Sequence, residues 1–131
     1  MNPLVVLVTL AALVFYLVTL GAVGNARAKF KVQAPTMTGP PQLERAVRVQ
    51  ANTVEGMVLF LPALWLFAAY WDARIAAALG VLWIVGRVLY MAGYLADPAK
   101  RGPGFGVQAL ATLALLIGAI AGAVMSLSQT A

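Results

Sequence analysis

Four apolar runs, each about as long as a bilayer is thick, decide what this chain can fold into. They cover about Pro3 to Gly24, Gln42 to Ala69, Ile75 to Tyr94 and Phe105 to Ser126. A helix needs roughly 20 mostly apolar residues to cross the hydrocarbon core. Inside lipid every backbone polar group must be satisfied within the chain, so runs of this kind become helices. Only 10% of the 131 residues are charged, against about 25% in a soluble domain. The expected architecture is an all-α membrane protein, a four-transmembrane-helix bundle forming one domain over residues 1–131. Its expected helices are 3–24, 42–69, 75–94 and 105–126.

The first run resembles a secretory leader only superficially. No Lys or Arg precedes it, and Leu4 to Val23 is longer than a signal core of about 7–15 residues. It reads as a retained first helix, capped by Asn2 with Pro3 in its first turn. The polar stretch Asn25 to Pro41, with Pro35, Gly39, Pro40 and Pro41, reads as a loop. Pro62 removes a hydrogen bond inside the second run, and a kink is expected there.

Charge placement predicts topology. Arg27, Lys29, Lys31, Lys100 and Arg101 lie in the connections after the first and third runs. The intervening turn carries Arg74, balanced by Asp72. Cytoplasmic loops collect Lys and Arg. Both basic loops are therefore expected in the cytoplasm, with both termini outside, and the expected location is a cytoplasmic (inner) membrane. The net charge of +5 serves topology in this reading. Nucleic-acid binding would need a soluble basic surface, which the pattern does not provide.

Composition also narrows the chemistry. The chain has no cysteine and no histidine, and only four acids. Disulfides, thiolate nucleophiles, imidazole bases and the common zinc or haem ligands are excluded. No metal site is expected. Reactivity must come from Arg, Lys, Tyr, amides and a few acids, or from a bound reagent.

The polar exception is ERAVRVQANTVE, Glu44 to Glu55, at the head of the second run. Charged groups at a helix centre cost about 2.5–3.5 kcal/mol each on insertion scales, and such residues are functional by default. At 3.6 residues per turn, Arg48, Asn52 and Glu55 share one face and Gln50 points the other way. Gln50 must therefore meet another element or a neighbouring subunit. On the third run Arg87, Tyr90 and Tyr94 share a face, and Arg101 follows outside the membrane. One reading pairs these groups with each other, Glu55 with Arg48 or Arg87, while Glu44 and Arg45 snorkel to the interface. Pairing leaves Arg27, Arg48, Arg87 and Arg101 in excess of nearby acid. Surplus guanidinium around a pocket suits a carboxylate ligand, which Arg grips bidentately. Asn52 and Glu55 suit an amide and an ammonium. The implied ligand is small, polar and peptide-like.

Gly118 and Gly122, with Ala114 a turn earlier, form a small-residue stripe, and Gly86 and Gly93 share a face of the third run. Such stripes let helices approach closely, and these are read as packing residues.

Two stretches carry a family resemblance: Thr38 to Trp65 (TGPPQLERAVRVQANTVEGMVLFLPALW) and Gly86 to Gly102 (GRVLYMAGYLADPAKRG). Their motifs, Arg-x-Gln-x-Asn-x-x-Glu and Arg-x-x-Tyr-x-x-x-Tyr with a later Arg, resemble those of the MAPEG family (membrane-associated proteins in eicosanoid and glutathione metabolism). The resemblance implies a left-handed four-helix bundle, a homotrimer in membrane lipid, and glutathione as co-substrate between adjacent subunits at the cytoplasmic side. It implies that Arg48, Asn52, Glu55, Tyr90 and Tyr94 hold glutathione within one subunit, with Arg87 also a candidate. Gln50 and Arg27 would reach the ligand across the subunit boundary, and Arg101 would stabilise the thiolate. The implied activity is a glutathione S-transferase, with peroxidase activity a further expectation, acting on an apolar electrophile from lipid. Gly56 and Ala28 depart from the tyrosine and second arginine of eicosanoid-synthesising members, which argues against a dedicated leukotriene synthase. A non-catalytic glutathione- or lipid-binding scaffold of the same fold is the alternative. A small four-helix exporter would need an acid in the first span, and Leu4 to Val23 has none.

Overall fold

A computed structural model describes residues 1–130. It contains four long helices, α1 (Pro3–Phe30), α2 (Pro41–Tyr70), α3 (Ala73–Ala96) and α4 (Gly102–Thr130), with a 3-10 turn over Pro98–Arg101 before α4. All four are long and apolar enough to cross a membrane. This is a multi-pass integral membrane protein. Its exterior carries large apolar side chains, among them Leu17, Val58, Ile117 and Leu127, each more than half exposed. In water such a surface would drive aggregation, whereas against lipid tails it is the matching solvent.

The bundle is arranged around α2 and α3. Helix α1 packs on both of them, and so does α4 from its own side. The core holds Val5, Val8 and Ala12 from α1, Met57, Phe60 and Leu64 from α2, Ala76 and Trp83 from α3, and Ala111 and Leu115 from α4. The rings of Phe60 and Trp83 stack in parallel with centroids 4.1 Å apart. Polar ties cross the apolar layers: Trp65 Nε1 donates to Thr9 Oγ1 at 3.0 Å, and Trp71 Nε1 donates to the Gly118 carbonyl at 2.7 Å.

The helices overrun the expected spans. Asn2 caps α1 as expected, accepting from the Leu4 amide at 2.9 Å. The helix does not stop at Gly24, however, and continues to Phe30. Residues Ala26 to Lys29 are good helix formers, and Arg27 and Lys29 favour the negative end of the helix dipole. The chain leaves through Lys31 in the left-handed conformation, φ 56°. The loop is therefore shorter than the expected Asn25 to Pro41. Helix α4 likewise begins at Gly102 rather than Phe105, because Pro103 sits in a first turn whose amides need no helical partner. Pro62 lies inside α2, which continues to Tyr70.

Helices α3 and α4 touch backbone to backbone. A methyl built on Gly86 would lie 2.6 Å from the Gln108 amide nitrogen. One built on Gly104 would overlap the Tyr90 backbone, and one on Gly93 would sit 2.5 Å from the Lys100 carbonyl oxygen. Gly118 and Gly122 receive the rings of Phe67 and Tyr70 from α2. The small-residue stripes thus pack helices within this chain.

Candidate functional site

Two adjacent cavities open where α2, α3 and α4 meet. The polar one, about 460 Å³, is lined by Arg48 and Asn52 from α2, Tyr90 and Tyr94 from α3, Arg101 from the 3-10 turn, and Phe105 from α4. The second, about 370 Å³, is walled by Asn52, Glu55, Gly56 and Leu59 on one side and Phe105, Gln108, Ala109, Thr112 and Leu113 on the other. Its lining is overwhelmingly apolar. Asn52 and Phe105 belong to both cavities and mark the junction.

Local sequence explains the convergence. Arg48, Asn52 and Glu55 follow the three-and-four spacing of one helix face. Tyr90 and Tyr94 are a turn apart on α3, and their rings stack with centroids 5.6 Å apart. Arg101 is brought over the polar cavity because Asp97 caps the 3-10 turn, accepting from the Ala99 amide at 3.0 Å. From α2, Arg45 Nη1 reaches the Leu95 and Ala96 carbonyls at 3.3 Å each and ties down the end of α3. Glu44 accepts from the Gly39 amide at 3.1 Å and so ties the loop to the first turn of α2.

Arg87 is placed differently from the other candidates. It is fully buried and lines neither cavity. Its Nη1 donates to Asn52 Oδ1 and its Nη2 to Thr53 Oγ1, both at 2.7 Å. Its guanidinium carbon lies 4.4 Å from the centroid of the Tyr90 ring. The expected pairing of Glu55 with Arg48 or Arg87 is not formed. Among the described residues the ion pair present is Arg74–Asp72, and the Glu55 side chain is exposed at the apolar cavity. Two neutral oxygens, Asn52 Oδ1 and Thr53 Oγ1, have taken the Arg87 donors instead.

Gln50 meets another element, as its orientation requires. That element is α1 of the same chain, where Gln50 Nε2 donates to Tyr16 Oη at 2.9 Å. Arg27, half-buried near the end of α1, donates to the Thr36 carbonyl and closes the loop. Neither Gln50 nor Arg27 lines the two cavities. Among the described residues no cluster of acidic side chains could hold a metal ion.

Phe105, Gln108 and Thr53 were not legible as site residues from periodicity alone. Gln108 had a signal, being the one amide in an apolar run from Phe105 to Ser126. Thr53 Oγ1 is a relay that donates to the Val49 carbonyl at 2.7 Å while accepting from Arg87.

The polar cavity thus joins two guanidinium groups, two phenols and an amide beside an apolar chamber, all inside a four-span bundle. The family model described as MAPEG family matches residues 5–121 of the chain. The chain belongs to the MAPEG family. An uncharacterized protein of Synechocystis is 46% identical over 123 residues, 94% of this chain and 90% of that protein. Microsomal glutathione S-transferase 2 of Homo sapiens is 43% identical over 95 residues, 70% of this chain and 65% of that enzyme. Leukotriene C4 synthase of Bos taurus is 36% identical over 77 residues, 59% of this chain and 51% of that enzyme. The matches to these two named enzymes span less than two thirds of their lengths. For a MAPEG member, the four spans and the residue pairs of α2 and α3 now have a common frame.

Proposed function

We propose that this MAPEG protein is a membrane glutathione S-transferase. It would join the glutathione thiolate to hydrophobic electrophiles drawn from the bilayer, a detoxification chemistry that extends to lipid hydroperoxides. The observation that carries the reading is the junction at Asn52 and Phe105 between a cationic cavity and an apolar one. A tripeptide thiol is anionic and polar, and its partner is apolar. A conjugating site must hold both within reach of one sulfur.

The roles follow from chemistry. Arg48 and Arg101 suit carboxylate and thiolate, and Tyr90 and Tyr94 supply apolar walls with hydroxyl donors. Glu55, unpaired and beside the junction, suits the peptide's ammonium. The thiolate is the nucleophile, and a free thiol near pKa 8.5 is mostly protonated at neutral pH. Arg101 at close range, with little water, favours the charged form. The thiolate sulfur attacks an electrophilic carbon as the leaving group departs, or the terminal hydroperoxide oxygen as the O–O bond breaks and an alkoxide leaves. The resulting glutathione sulfenic acid is consumed by a second glutathione, giving disulfide and water.

The protein is read as a single domain that works as a homotrimer, in which Arg27 and Gln50 reach a neighbour's ligand. Both basic loops face the cytoplasm with the termini outside, in a cytoplasmic membrane. The test is conjugation of a generic aryl halide by purified protein, with Arg101→Ala beside it and glutathione-dependent thermal stabilisation as the binding readout. Turnover that collapses in the variant is expected. Equal rates in both would remove Arg101 from its assigned role, and no turnover with no stabilisation by millimolar glutathione would overturn the reading.

A further inference from the structure

Arg87 contributes to the site without touching it. Arginine carries only donors, so the Asn52 atom facing Nη1 must be the carbonyl oxygen. That contact fixes the orientation of an amide that would otherwise be free to flip. The Asn52 nitrogen is left without a protein partner among the described residues, on a side chain that lines both cavities. The second Nη goes to Thr53 Oγ1, whose own proton is committed to the Val49 carbonyl. Each member of the relay therefore has one available sense.

The charge of Arg87 is also uncompensated. No carboxylate pairs with it among the described residues, and its Nε is buried without a partner. A buried cation usually demands a counter-ion. Here its neighbours are neutral oxygens and the face of the Tyr90 ring at 4.4 Å. The ring's other neighbour is Tyr94, and both tyrosines line the polar cavity.

We propose that Arg87 is a positioning residue: by taking the Asn52 carbonyl oxygen it dedicates the Asn52 amide nitrogen to an acceptor group on the thiol peptide. This rests on the glutathione reading of the polar cavity. The acceptor is a carboxylate or peptide carbonyl, because an amide nitrogen can only donate. The partnerless charge adds positive potential behind Tyr90, which favours an anionic ligand before any contact is made.

Asn52→Asp tests this sharply. The substitution keeps shape, gives Arg87 the counter-ion it lacks, and replaces the donor offered to the ligand with an acceptor. The purified protein should melt several degrees higher, while the Kd for glutathione rises about ten-fold or more. In an Arg87→Met background the same change should lose its stabilising effect, since the new carboxylate has no cation to meet. If Arg87→Met does not fold, Asn52→Asp alone still decides. A lower or unchanged Tm, or a Kd within about two-fold of the original, overturns the proposal. A starting protein that does not bind glutathione overturns the proposed function instead, while the Tm comparison still reads the Arg87–Asn52 geometry.

Discussion

Gly104 lies so close to the Tyr90 backbone that a single added methyl would overlap the Tyr90 amide nitrogen. Neither helix can yield there by rotating a side chain, because both contact partners are main chain. Gly104→Ala should therefore cost about 1–3 kcal/mol, the usual penalty of overpacking. Gly106, with nothing within 4 Å of its would-be methyl, is the control. Gly106→Ala should be neutral or stabilising by up to about 1 kcal/mol through helix propensity. Thermal unfolding of the two variants in one detergent separates a packing glycine from an incidental one.

Arg101 should govern the acidity of bound thiol. Thiolate absorbance of the glutathione complex, titrated against pH, should show a pKa about one to two units below the free value, each unit worth about 1.36 kcal/mol. Arg101→Ala should return the titration toward the free thiol and lower kcat by roughly 10- to 100-fold. Unchanged acidity in the variant would remove Arg101 from the thiolate role.

Gly56 should set the size of the second substrate. A methyl there would stand 3.7 Å from Gln108 Oε1 and from Trp83, so small side chains fit and larger ones must enter the apolar cavity. Gly56→Leu should raise KM for a bulky electrophile by about ten-fold, the scale of one or two displaced methylenes. The KM for glutathione should stay near its original value. A parallel rise in both would mean that the two chambers are not separate subsites.

Asp72 should give a pH-dependent contribution to stability. Its carboxylate caps α3, accepting from the Arg74 amide at 2.7 Å and the Ile75 amide at 3.4 Å. The Arg74 backbone bond foremost, opposed in part by burial, holds its pKa below the ordinary value of 3.8. A lowered folded pKa means stabilisation that is complete above 3.8 and lost as pH falls through the folded value. Asp72→Ala should lower Tm at neutral pH, and the deficit should shrink in acid over that window. A deficit of constant size down to the acid limit would contradict the capping account.

The sequence made the spans, the Asn2 cap and the shared face of Arg48, Asn52 and Glu55 legible, because each depends on local spacing and hydropathy. The tyrosine pair was legible for the same reason. What the sequence left open was partner choice. Arg87 has the same three-and-four relation to Tyr90 and Tyr94 as a ligand-binding residue would, yet its guanidinium turns inward to Asn52 and Thr53. Only the approach of α2 to α3 decides that. Gln50 pointed away from its neighbours on periodicity alone, but Tyr16, 34 residues earlier, had no local signal as its acceptor. The overrun of α1 to Phe30 was hidden by the polarity of Asn25 to Lys29, since a helix that leaves the lipid keeps its hydrogen bonds while losing its hydropathy.

The contacts that bracket Arg101 have a consequence for how the bundle can move. Lys100 is pressed against Gly93 on one side of it and Gly104 against Tyr90 on the other. A connection between two helices is ordinarily the loosest part of a fold. Here the connection is riveted to α3 on both sides of Arg101, so the main chain that carries its guanidinium is tied to α3. Any displacement of the connection must therefore take α3 with it, and with α3 the tyrosine pair that shares the cationic cavity with Arg101.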